Sequence, residues 1–275
     1  MSVTFHKMHG AGNDFILLDL REQSFAIDAD IARRLSDRHL GIGCDQILVL
    51  RTAQKANALA AFEVWNADGS RAEQCGNGVR CIGLYLKTRG EAPSGHIILS
   101  GPVEDISIEC LDNDQVRVHM GKPSFDPDAI PILLPQTGDW YRLPMNHESI
   151  TLGAVSMGNP HALMLVEDIN TIDINDLGSF ISQNGMFPNG CNAGFAQIID
   201  RENIFLRVFE RGAAETQACG SGACAAVSIL RRSGLVDEKV NVTQAGGVLI
   251  IDWTGAEEPV IMTGPATHVF EGIVT

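Results

Sequence analysis

Two cysteines occur in the same local sequence context, and that context favours acid–base chemistry. Cys75 precedes Gly-Asn-Gly, Cys219 precedes Gly-Ser-Gly, and each follows an alternating apolar run and a polar turn. Such a motif is typical of a helix N-terminus, where unpaired backbone N–H groups and the positive end of the helix dipole lie close to the first side chains. We expect this setting to expose each thiol and to lower its pKa from about 8.5, so that a thiolate is available near neutral pH.

The two motifs together indicate a reaction that inverts a stereocentre. The N–H groups of a helix start can also bind a carboxylate, so each loop combines a base with an anion site. If two sulfurs face opposite sides of one carbon, a thiolate can remove its proton and the other thiol can return a proton to the opposite face. The helix N-termini can stabilise the carbanion electrostatically in a water-excluded pocket. No lysine lies in a recognisable pyridoxal phosphate setting, and we therefore expect no cofactor.

The cysteine motifs belong to a duplication that spans most of the chain. The run that begins at Gly12-Asn13 matches the run that begins at Gly158-Asn159, and Gln46, which precedes an apolar run, matches Asn192. All these pairs, like the two cysteines, are separated by 144 to 146 positions. The chain is therefore predicted to be two copies of one unit, with a boundary near residue 120.

Short strands and few helices are predicted to position the motifs. The predicted strands are 15–19, 47–50, 62–65, 106–110, 116–119, 162–166, 196–200, 204–209 and 248–253. The predicted helices are about 30–39, 78–88, 176–183 and 222–232. The two helices that follow the cysteines are apolar nearly all round, as buried helices are.

Composition excludes several classes of protein. The formal net charge is −14 over 275 residues, whereas binding to a phosphate backbone needs a clustered surplus of Lys and Arg, so nucleic acid is not expected as a partner. No apolar stretch approaches the length of a membrane span, and the N-terminus lacks the apolar core of a signal peptide. We expect a cytoplasmic protein with no membrane partner, whose seven cysteines are reduced.

The motifs also match a known family in order and spacing, and the chain resembles diaminopimelate epimerase. The residues that carry the resemblance are Gly12-Asn13-Asp14-Phe15, Gly43-Cys44-Asp45-Gln46, Asn66-Ala67-Asp68-Gly69-Ser70, Cys75-Gly76-Asn77-Gly78-Val79-Arg80, Gly158-Asn159-Pro160-His161, Glu210-Arg211-Gly212-Ala213 and Cys219-Gly220-Ser221-Gly222-Ala223. The resemblance implies an isomerase that interconverts LL- and meso-2,6-diaminopimelate, in lysine and peptidoglycan precursor synthesis, without pyridoxal phosphate or metal. It also implies a homodimer.

The fold that the resemblance implies is of the α/β (α+β) type. Two pseudo-symmetric domains are each expected to wrap a curved mixed or antiparallel sheet around a central helix, with the active site in the cleft between them. The last strand, after Gly264-Pro265, is expected to return to the first domain. The expected halves are therefore 1–119 with 265–275, and 120–264.

The resemblance assigns roles to residues in both copies. It implies that Cys75 and Cys219 are the catalytic acid/base pair and that His161 and Glu210 tune the pKa values of the cysteines. Arg211 suits a distal carboxylate because its guanidinium is a planar fork, and Glu210 suits an ammonium group. The implied substrate-binding residues are Asn13, Gln46, Asn66, Gly76, Asn77, Asn159, Asn192, Glu210, Arg211, Gly220 and Ser221.

Several alternatives remain open from the sequence. A proline or hydroxyproline racemase of the same fold also uses two cysteines, and a non-catalytic amino-acid-binding protein would need no reactive thiol. A zinc or redox protein is disfavoured because the spacings around Cys75 and Cys219 lack close Cys-x-x-Cys pairs. Either cysteine could be a buried structural thiol, and His161 could simply hydrogen-bond within a turn. The other five cysteines are predicted to be structural, with two of them near binding motifs: Cys44, Cys81, Cys110, Cys191 and Cys224.

Overall fold

The structure is a computed structural model that describes residues 2–72, 75–92, 94–133, 139–145, 148–255 and 258–275. It divides into two compact units. Unit 1 comprises Met1–His119 and Thr263–Thr275, and unit 2 comprises Met120–Met262. The chain therefore leaves unit 1 at the residue where the sequence-based boundary was drawn and returns to it at 263, where the sequence analysis expected 265. Whether the two units are independent domains stays a prediction.

Unit 1 is a mixed sheet with two helices. Its elements are β1 (Val3–Gly10), β2 (Asn13–Asp19), α1 (Ala29–Ser36), β3 (Gln46–Arg51), β4 (Ala60–Asn66), β5 (Arg71–Ala72), α2 (Gly76–Thr88), β6 (His96–Ser100), β7 (Asp105–Cys110) and β8 (Gln115–His119). Strands β2 and β3 are parallel, as are β4 and β6, and the remaining neighbours β1–β2, β3–β4, β4–β5, β6–β7 and β7–β8 are antiparallel.

Unit 2 repeats this arrangement after one additional strand. Its elements are β9 (Tyr141–Met145), β10 (Glu148–Ser156), β11 (Pro160–Leu165), α3 (Ile174–Ser182), β12 (Asn192–Ile198), β13 (Asn203–Glu210), β14 (Ala214–Glu215), α4 (Gly220–Arg232), β15 (Lys239–Gln244) and β16 (Gly247–Asp252). The pairs β11–β12 and β13–β15 are parallel, and β9–β10, β10–β11, β12–β13, β13–β14 and β15–β16 are antiparallel.

The last two strands are β17 (Ile261–Pro265) and β18 (Thr267–Val274). Strand β18 pairs antiparallel with β1, so the predicted return of the C-terminal strand to the first half of the chain is confirmed. A bulge between Lys7 and Met8 shifts the register of this pair.

In each unit, one of the two helices is buried against the sheet. Every residue of α2 from Gly76 to Leu86 is buried, and the helix packs against β1, β7 and β8. Helix α4 is buried along nearly the same length and packs against β10, β11 and β16. The predicted α/β class with a mixed sheet around a central helix is therefore confirmed. None of the helices in the described ranges has the length and apolar character needed to cross a membrane.

Side chains just before each helix fix where it begins. The carboxylates of Asp28 and Asp173 accept the N–H groups of Ile31 and Asp176 at the starts of α1 and α3. An N-cap acceptor of this kind satisfies one of the orphan donors of the first turn. The equivalent helices α1 and α3 therefore both have an aspartate as the N-cap residue.

Three expectations about the elements need correction. Helix α1 was expected to reach residue 39, but it ends at Ser36 because the Asp37 carboxylate instead accepts the N–H groups of His39 and Leu40. The strand expected at 196–200 begins at Asn192 and ends at Ile198. Eight strands were not predicted, namely β1, β5, β6, β9, β10, β14, β15 and β17.

Candidate active site

Cys75 is the N-cap residue of α2. Its backbone is extended (φ −144°, ψ 97°), and its Sγ accepts the N–H of Gly78 at 3.4 Å. Gly78 is tightly packed, because a Cβ there would lie 2.6 Å from Leu48 Cδ2 and the buried leucine would have to move. The helix start therefore lies close against β3. Cys75 is half-buried.

Cys219 has the same position at the start of α4. Its backbone is again extended (φ −120°, ψ 109°), and its Sγ accepts the N–H of Gly222 at 3.4 Å. The Ser221 hydroxyl lies 3.7 Å from the same sulfur. A Cβ at position 222 would lie 3.0 Å from Val208 Cγ2 and 3.1 Å from Cys219 Sγ. The two helix starts therefore correspond as predicted, and each has the same hydrogen bond from a glycine N–H to the cysteine sulfur.

The two sulfurs differ in exposure. Cys219 is only 3% exposed, which contradicts the expectation that a glycine-flanked helix start exposes the side chain. Burial raises the pKa of the Cys219 thiol well above its ordinary value, and the negative charge of Glu210 raises it further. The bonds from Ser221 and Gly222 lower the pKa but do not outweigh those effects. The expectation of a thiolate near neutral pH is therefore wrong for Cys219, which is a protonated thiol.

Two amide side chains of unit 1, those of Asn13 and Asn77, lie near Cys75. The Asn13 Oδ1 atom accepts a hydrogen bond from Asn77 Nδ2 at 3.2 Å and lies 4.0 Å from Cys75 Sγ. On its other side, Asn13 Nδ2 donates to the Asp45 carboxylate at 2.9 Å. Because a carboxylate only accepts, Asp45 fixes the Asn13 amide with its oxygen towards the thiol. Asn77 is held in turn by Arg80 Nη1, which donates to Asn77 Oδ1 at 2.9 Å.

The acidic groups behind Asn13 are held by two cations. Arg38 donates to Asp14 and to Asp45, each at 2.7 Å, and Lys7 donates to Asp14. Burial alone would raise the pKa of Asp14, but the bonds from Arg38 and Lys7 bring it down to about 2. Asp14 is therefore ionised near neutral pH. A network of charged groups therefore holds the Asn13 side chain in place.

Gln46 and Asn66 form a second amide pair in unit 1. They are direct partners across the antiparallel strands β3 and β4, and Gln46 Nε2 donates to Asn66 Oδ1 at 2.8 Å. Asn66 Nδ2 donates to Ser70 Oγ at 3.0 Å. This pair leaves Gln46 Oε1 as an acceptor for an ammonium group.

The backbone of Cys219 is held by a side chain outside the predicted site residues. Gln244, a buried residue at the end of β15, accepts the Cys219 N–H at 2.8 Å and donates to the Cys219 carbonyl at 3.4 Å. Glu210 is positioned by Thr216, whose hydroxyl donates to Glu210 Oε1 at 2.5 Å. The motif around Cys219 includes Thr216 as the third residue before the cysteine, whereas nothing in the sequence marks Gln244.

The remaining predicted residues of unit 2 form a connected group. His161 and Asn192 are partners across the parallel strands β11 and β12, as Phe15 and Gln46 are in unit 1. The His161 ring lies 3.0 Å from Asn159 Oδ1, and Asn192 Oδ1 accepts the Arg211 N–H at 2.9 Å. His161 lies in a strand and not in a turn. Burial, followed by the positive charge of Arg211, lowers the pKa of His161 to about 3.

Arg211 borders a cavity of about 470 Å³ within unit 2. Its Nη1 atom donates to the Asn189 carbonyl at 2.8 Å, and its side chain is exposed. Among the described residues, the walls of this cavity do not include Cys219, Ser221 or Glu210. The cavity is therefore adjacent to one predicted substrate-binding residue and is separate from the thiol.

Three of the other five cysteines have buried thiols, which agrees with the structural role predicted for them. Cys44 and Cys191, which lie near binding motifs, are both buried, and burial raises the pKa values of their thiols to about 11 and about 12. Cys81 is fully buried within α2, and its pKa is raised to about 12. None of these three is placed to react.

The predicted site residues thus fall into two groups. In unit 1, Cys75, Asn13 and Asn77 lie together with Gly76 at the first turn of α2, and Gln46 pairs with Asn66. In unit 2, Gly220, Ser221 and Glu210 surround Cys219, and Asn192 joins Arg211 to His161 and Asn159. The supporting residues that the prediction missed are Asp45, Ser70, Arg80, Thr216 and Gln244. Most of them lie inside the quoted motifs, but their roles depend on tertiary contacts.

Solved structures with this fold include proteins with different activities. A hydroxyproline epimerase from Agrobacterium vitis superimposes with a TM-score of 0.73 over 99% of this chain and 92% of that chain, at 15% identity. A phenazine biosynthesis protein of the PhzF family from Bacillus anthracis has a TM-score of 0.70 over 100% and 99% of the two chains, at 13% identity. At such low identity the likeness shows a shared fold, that of the epimerase and PhzF-like proteins.

Sequence relatives narrow this class to one family. Residues 5–125 and 153–269 match the profile of the family described as diaminopimelate epimerase. A diaminopimelate epimerase from Xanthomonas axonopodis pv. citri is 47% identical over 269 residues, which are 98% of this chain and 95% of the relative. Another from Teredinibacter turnerae is 44% identical over 100% of this chain and 99% of the relative. The chain belongs to the diaminopimelate epimerase family and is an isomerase, so the resemblance in the motifs is confirmed.

Proposed function

We propose that this protein interconverts LL- and meso-2,6-diaminopimelate, with Cys75 and Cys219 as the two acid–base groups. The observation that carries the proposal is the repeated thiol setting. Each sulfur caps a buried helix and accepts the N–H three residues ahead at 3.4 Å, in two units with the same strand order. Membership of the diaminopimelate epimerase family supports the choice of substrate.

Exposure and charge support unequal roles for the two thiols at rest. Cys219 is buried beside Glu210 and keeps its proton, so it is suited to act first as the acid. Cys75 is half-buried and is the thiol that can act first as the base. In this direction the Cys75 thiolate removes the α-proton, and the Cys219 thiol gives its proton to the opposite face of the same carbon. The products are a Cys75 thiol and a Cys219 thiolate, and the reverse reaction restores the starting state.

Backbone donors support the binding of the reacting carboxylate. The first N–H groups of α2 and α4 belong to residues beside the two sulfurs, and the partial positive charge of a helix start stabilises a carboxylate and the enediolate that develops from it. The reaction would then need no cofactor to delocalise the carbanion. We assign the α-carboxylate to Gly76, Asn77, Gly220 and Ser221.

The amide and charged residues are suited to the other ends of the substrate. Gln46 and Asn66 are both half-buried, and their pair keeps an acceptor for an ammonium group. The guanidinium of Arg211 is suited to a distal carboxylate. We also propose that the enzyme works as a homodimer, as the resemblance to the family implies, and that it is located in the cytoplasm.

Proton NMR in deuterated water tests the proposal. Reduced protein is mixed with LL-diaminopimelate without pyridoxal phosphate, and the loss of the α-proton signal and the appearance of the meso product are followed. We expect the unaltered protein to produce both changes. Cys75→Ala and Cys219→Ala should each lower epimerisation by about a thousandfold or more, because neither remaining thiol can serve both faces of the carbon.

Cys110→Ala is the matched control, because its thiol is buried at the end of β7, lies 3.3 Å from the Gly83 carbonyl oxygen, and has neither Cys75 nor Cys219 among the groups that shift its pKa. Activity should be retained in this variant. If Cys75→Ala or Cys219→Ala epimerised at the parent rate, the two-thiol mechanism would be wrong. If the unaltered protein exchanged the α-proton of L-proline or trans-4-hydroxy-L-proline and not that of diaminopimelate, the chemistry would stand and the substrate would be wrong.

A further inference from the structure

Three potential metal ligands meet on the face of unit 1 that β1 and β18 form. His6 and Glu271 are direct partners in this antiparallel pair. His268 lies three positions before Glu271, and in a regular strand it would point to the opposite face, because side chains alternate. The bulge opposite Lys7 and Met8 adds one residue to β18 and so returns His268 to the face of Glu271.

The distances among these groups fit one bound ion. His6 Nδ1 lies 3.3 Å from His268 Nε2 and 3.6 Å from Glu271 Oε2. All three ligand atoms lie within 4.8 Å of one another. Two ligands of a tetrahedral Zn²⁺ with bonds of about 2.1 Å are about 3.4 Å apart. The separations around His6 therefore already match the edges of a tetrahedral site without movement of the backbone.

The His6 ring is held in place by its neighbours. Its side chain is 14% exposed, and the Tyr85 ring packs on it with the centroids 4.8 Å apart. Tyr85 is fixed in turn, because its hydroxyl donates to Asp19 at 3.1 Å. Tyr85 lies nine residues after the start of α2, which is about 14 Å along the helix axis from the end that carries Cys75. The cluster is therefore separate from the proposed catalytic thiol of unit 1.

We propose that His6, His268 and Glu271 bind a divalent transition-metal ion of the Zn²⁺, Ni²⁺ or Cu²⁺ class. Imidazole nitrogen with one carboxylate suits these ions, whereas Mg²⁺ and Ca²⁺ prefer oxygen ligands alone. Three protein ligands leave one position for water. Because the ligands come from both strands of the pair, the bound ion would clamp β18 to β1.

Isothermal titration calorimetry with Zn²⁺ tests this proposal. The titrated protein carries Cys75→Ala and Cys219→Ala, since thiolates at those positions would also bind Zn²⁺. We expect one saturable site per chain. His268→Gln in this background should weaken binding about tenfold or more, because it removes one of three ligands. His39→Gln, which alters an exposed histidine outside the cluster, should leave binding unchanged.

Thermal unfolding gives a second readout. Zn²⁺ should raise the unfolding midpoint of the same protein, because an ion that binds the folded state stabilises it. The shift should shrink in Glu271→Gln, a change to a side chain that is 68% exposed and therefore leaves the fold intact. The absence of saturable binding up to millimolar Zn²⁺, or equal binding in His268→Gln and its parent, would overturn the proposal and leave a hydrogen-bonded histidine pair.

Discussion

The two thiols show that local and tertiary effects on a pKa can oppose each other. Both sulfurs accept a helix N–H, which alone favours the thiolate. At Cys219, burial and the charge of Glu210 outweigh that bond. His161 is neutral near pH 7, because burial and Arg211 lower its pKa to about 3. If His161 tunes a thiol as predicted, it must therefore act through hydrogen bonding and not through positive charge.

Glu210→Gln tests the charge effect at Cys219. The Glu210 carboxylate disfavours the Cys219 thiolate, so removing its negative charge should lower the pKa of this thiol. A glutamine oxygen can still accept the Thr216 hydroxyl. In the profile of kcat/KM against pH, the alkaline limb reports loss of the proton from the acid, and it should move to lower pH in the variant.

Glu202→Gln is the control, because it removes an exposed carboxylate that is not among the groups acting on Cys219. The titration of Cys219 itself can be followed in Cys75→Ala protein by the pH dependence of alkylation, with the modified residue identified by mass spectrometry. An alkaline limb that stays in place, or moves to higher pH, would show that Glu210 does not hold the proton on Cys219.

At the scale of elements, local signals predicted the helices better than the strands. Each helix has an N-cap side chain close in sequence, and three of the four predicted helices begin and end within two residues of the observed bounds. The strand β10 and the strand β15 gave no comparable signal, because a strand is stabilised by partners that lie far away in the sequence. The end of α1 depended on the side chain of Asp37, whose turn competes with the helix.

The site could be predicted as a set of residues but not as a set of contacts. The duplicated motifs selected both thiols and the amides around them. The sequence could not indicate that Asp45 orients Asn13, or that Gln244 holds the backbone of Cys219, because these bonds join elements that only the fold brings together. The burial of Cys219 was missed for the same reason: a helix start is exposed only when no other element covers it.

Gly222→Ala tests how closely α4 positions its thiol. The new Cβ would lie 3.0 Å from Val208 Cγ2 and 3.1 Å from Cys219 Sγ, so the sulfur or the helix start has to move. Overpacking of this kind costs about 1–3 kcal/mol in the free energy of unfolding. We expect a folded protein whose kcat falls about tenfold or more, since small misplacements of a catalytic group are costly.

Gly185→Ala is the matched control for this substitution. No atom lies within 4 Å of its added Cβ, and its φ angle is not in the left-handed region. Denaturant unfolding and steady-state kinetics should both leave it near the parent. If Gly222→Ala lost stability but kept its full kcat, the position of the Cys219 sulfur would not depend on the close contact at Gly222.

At the scale of the whole molecule, one arrangement of strands is used twice with different residues at equivalent positions. Asn66 is at the end of β4 and bonds to Gln46 and Ser70, whereas Glu210 is at the end of β13 and raises the pKa of Cys219. The duplication thus supplies two equivalent helix starts, and divergence at one strand end places a carboxylate where it raises the pKa of Cys219. A symmetric scaffold can in this way carry different polar side chains at equivalent strand ends.

Removal of residues 267–275 tests whether the two units are independent domains. Strand β18 covers β1, and its loss would expose Val3 and Phe5, which are 1% and 6% exposed, together with unpaired backbone groups. Full exposure of two such side chains costs about 3–6 kcal/mol, and this is an upper bound here because both also pack in the core of unit 1. Hydrogen exchange should therefore accelerate in β1, β2 and α2, whereas α4 and β12 of unit 2 should keep their protection, because β18 pairs with neither. Equal acceleration in both units would show that they unfold together in one cooperative transition. The prediction that they are independent domains would then be wrong.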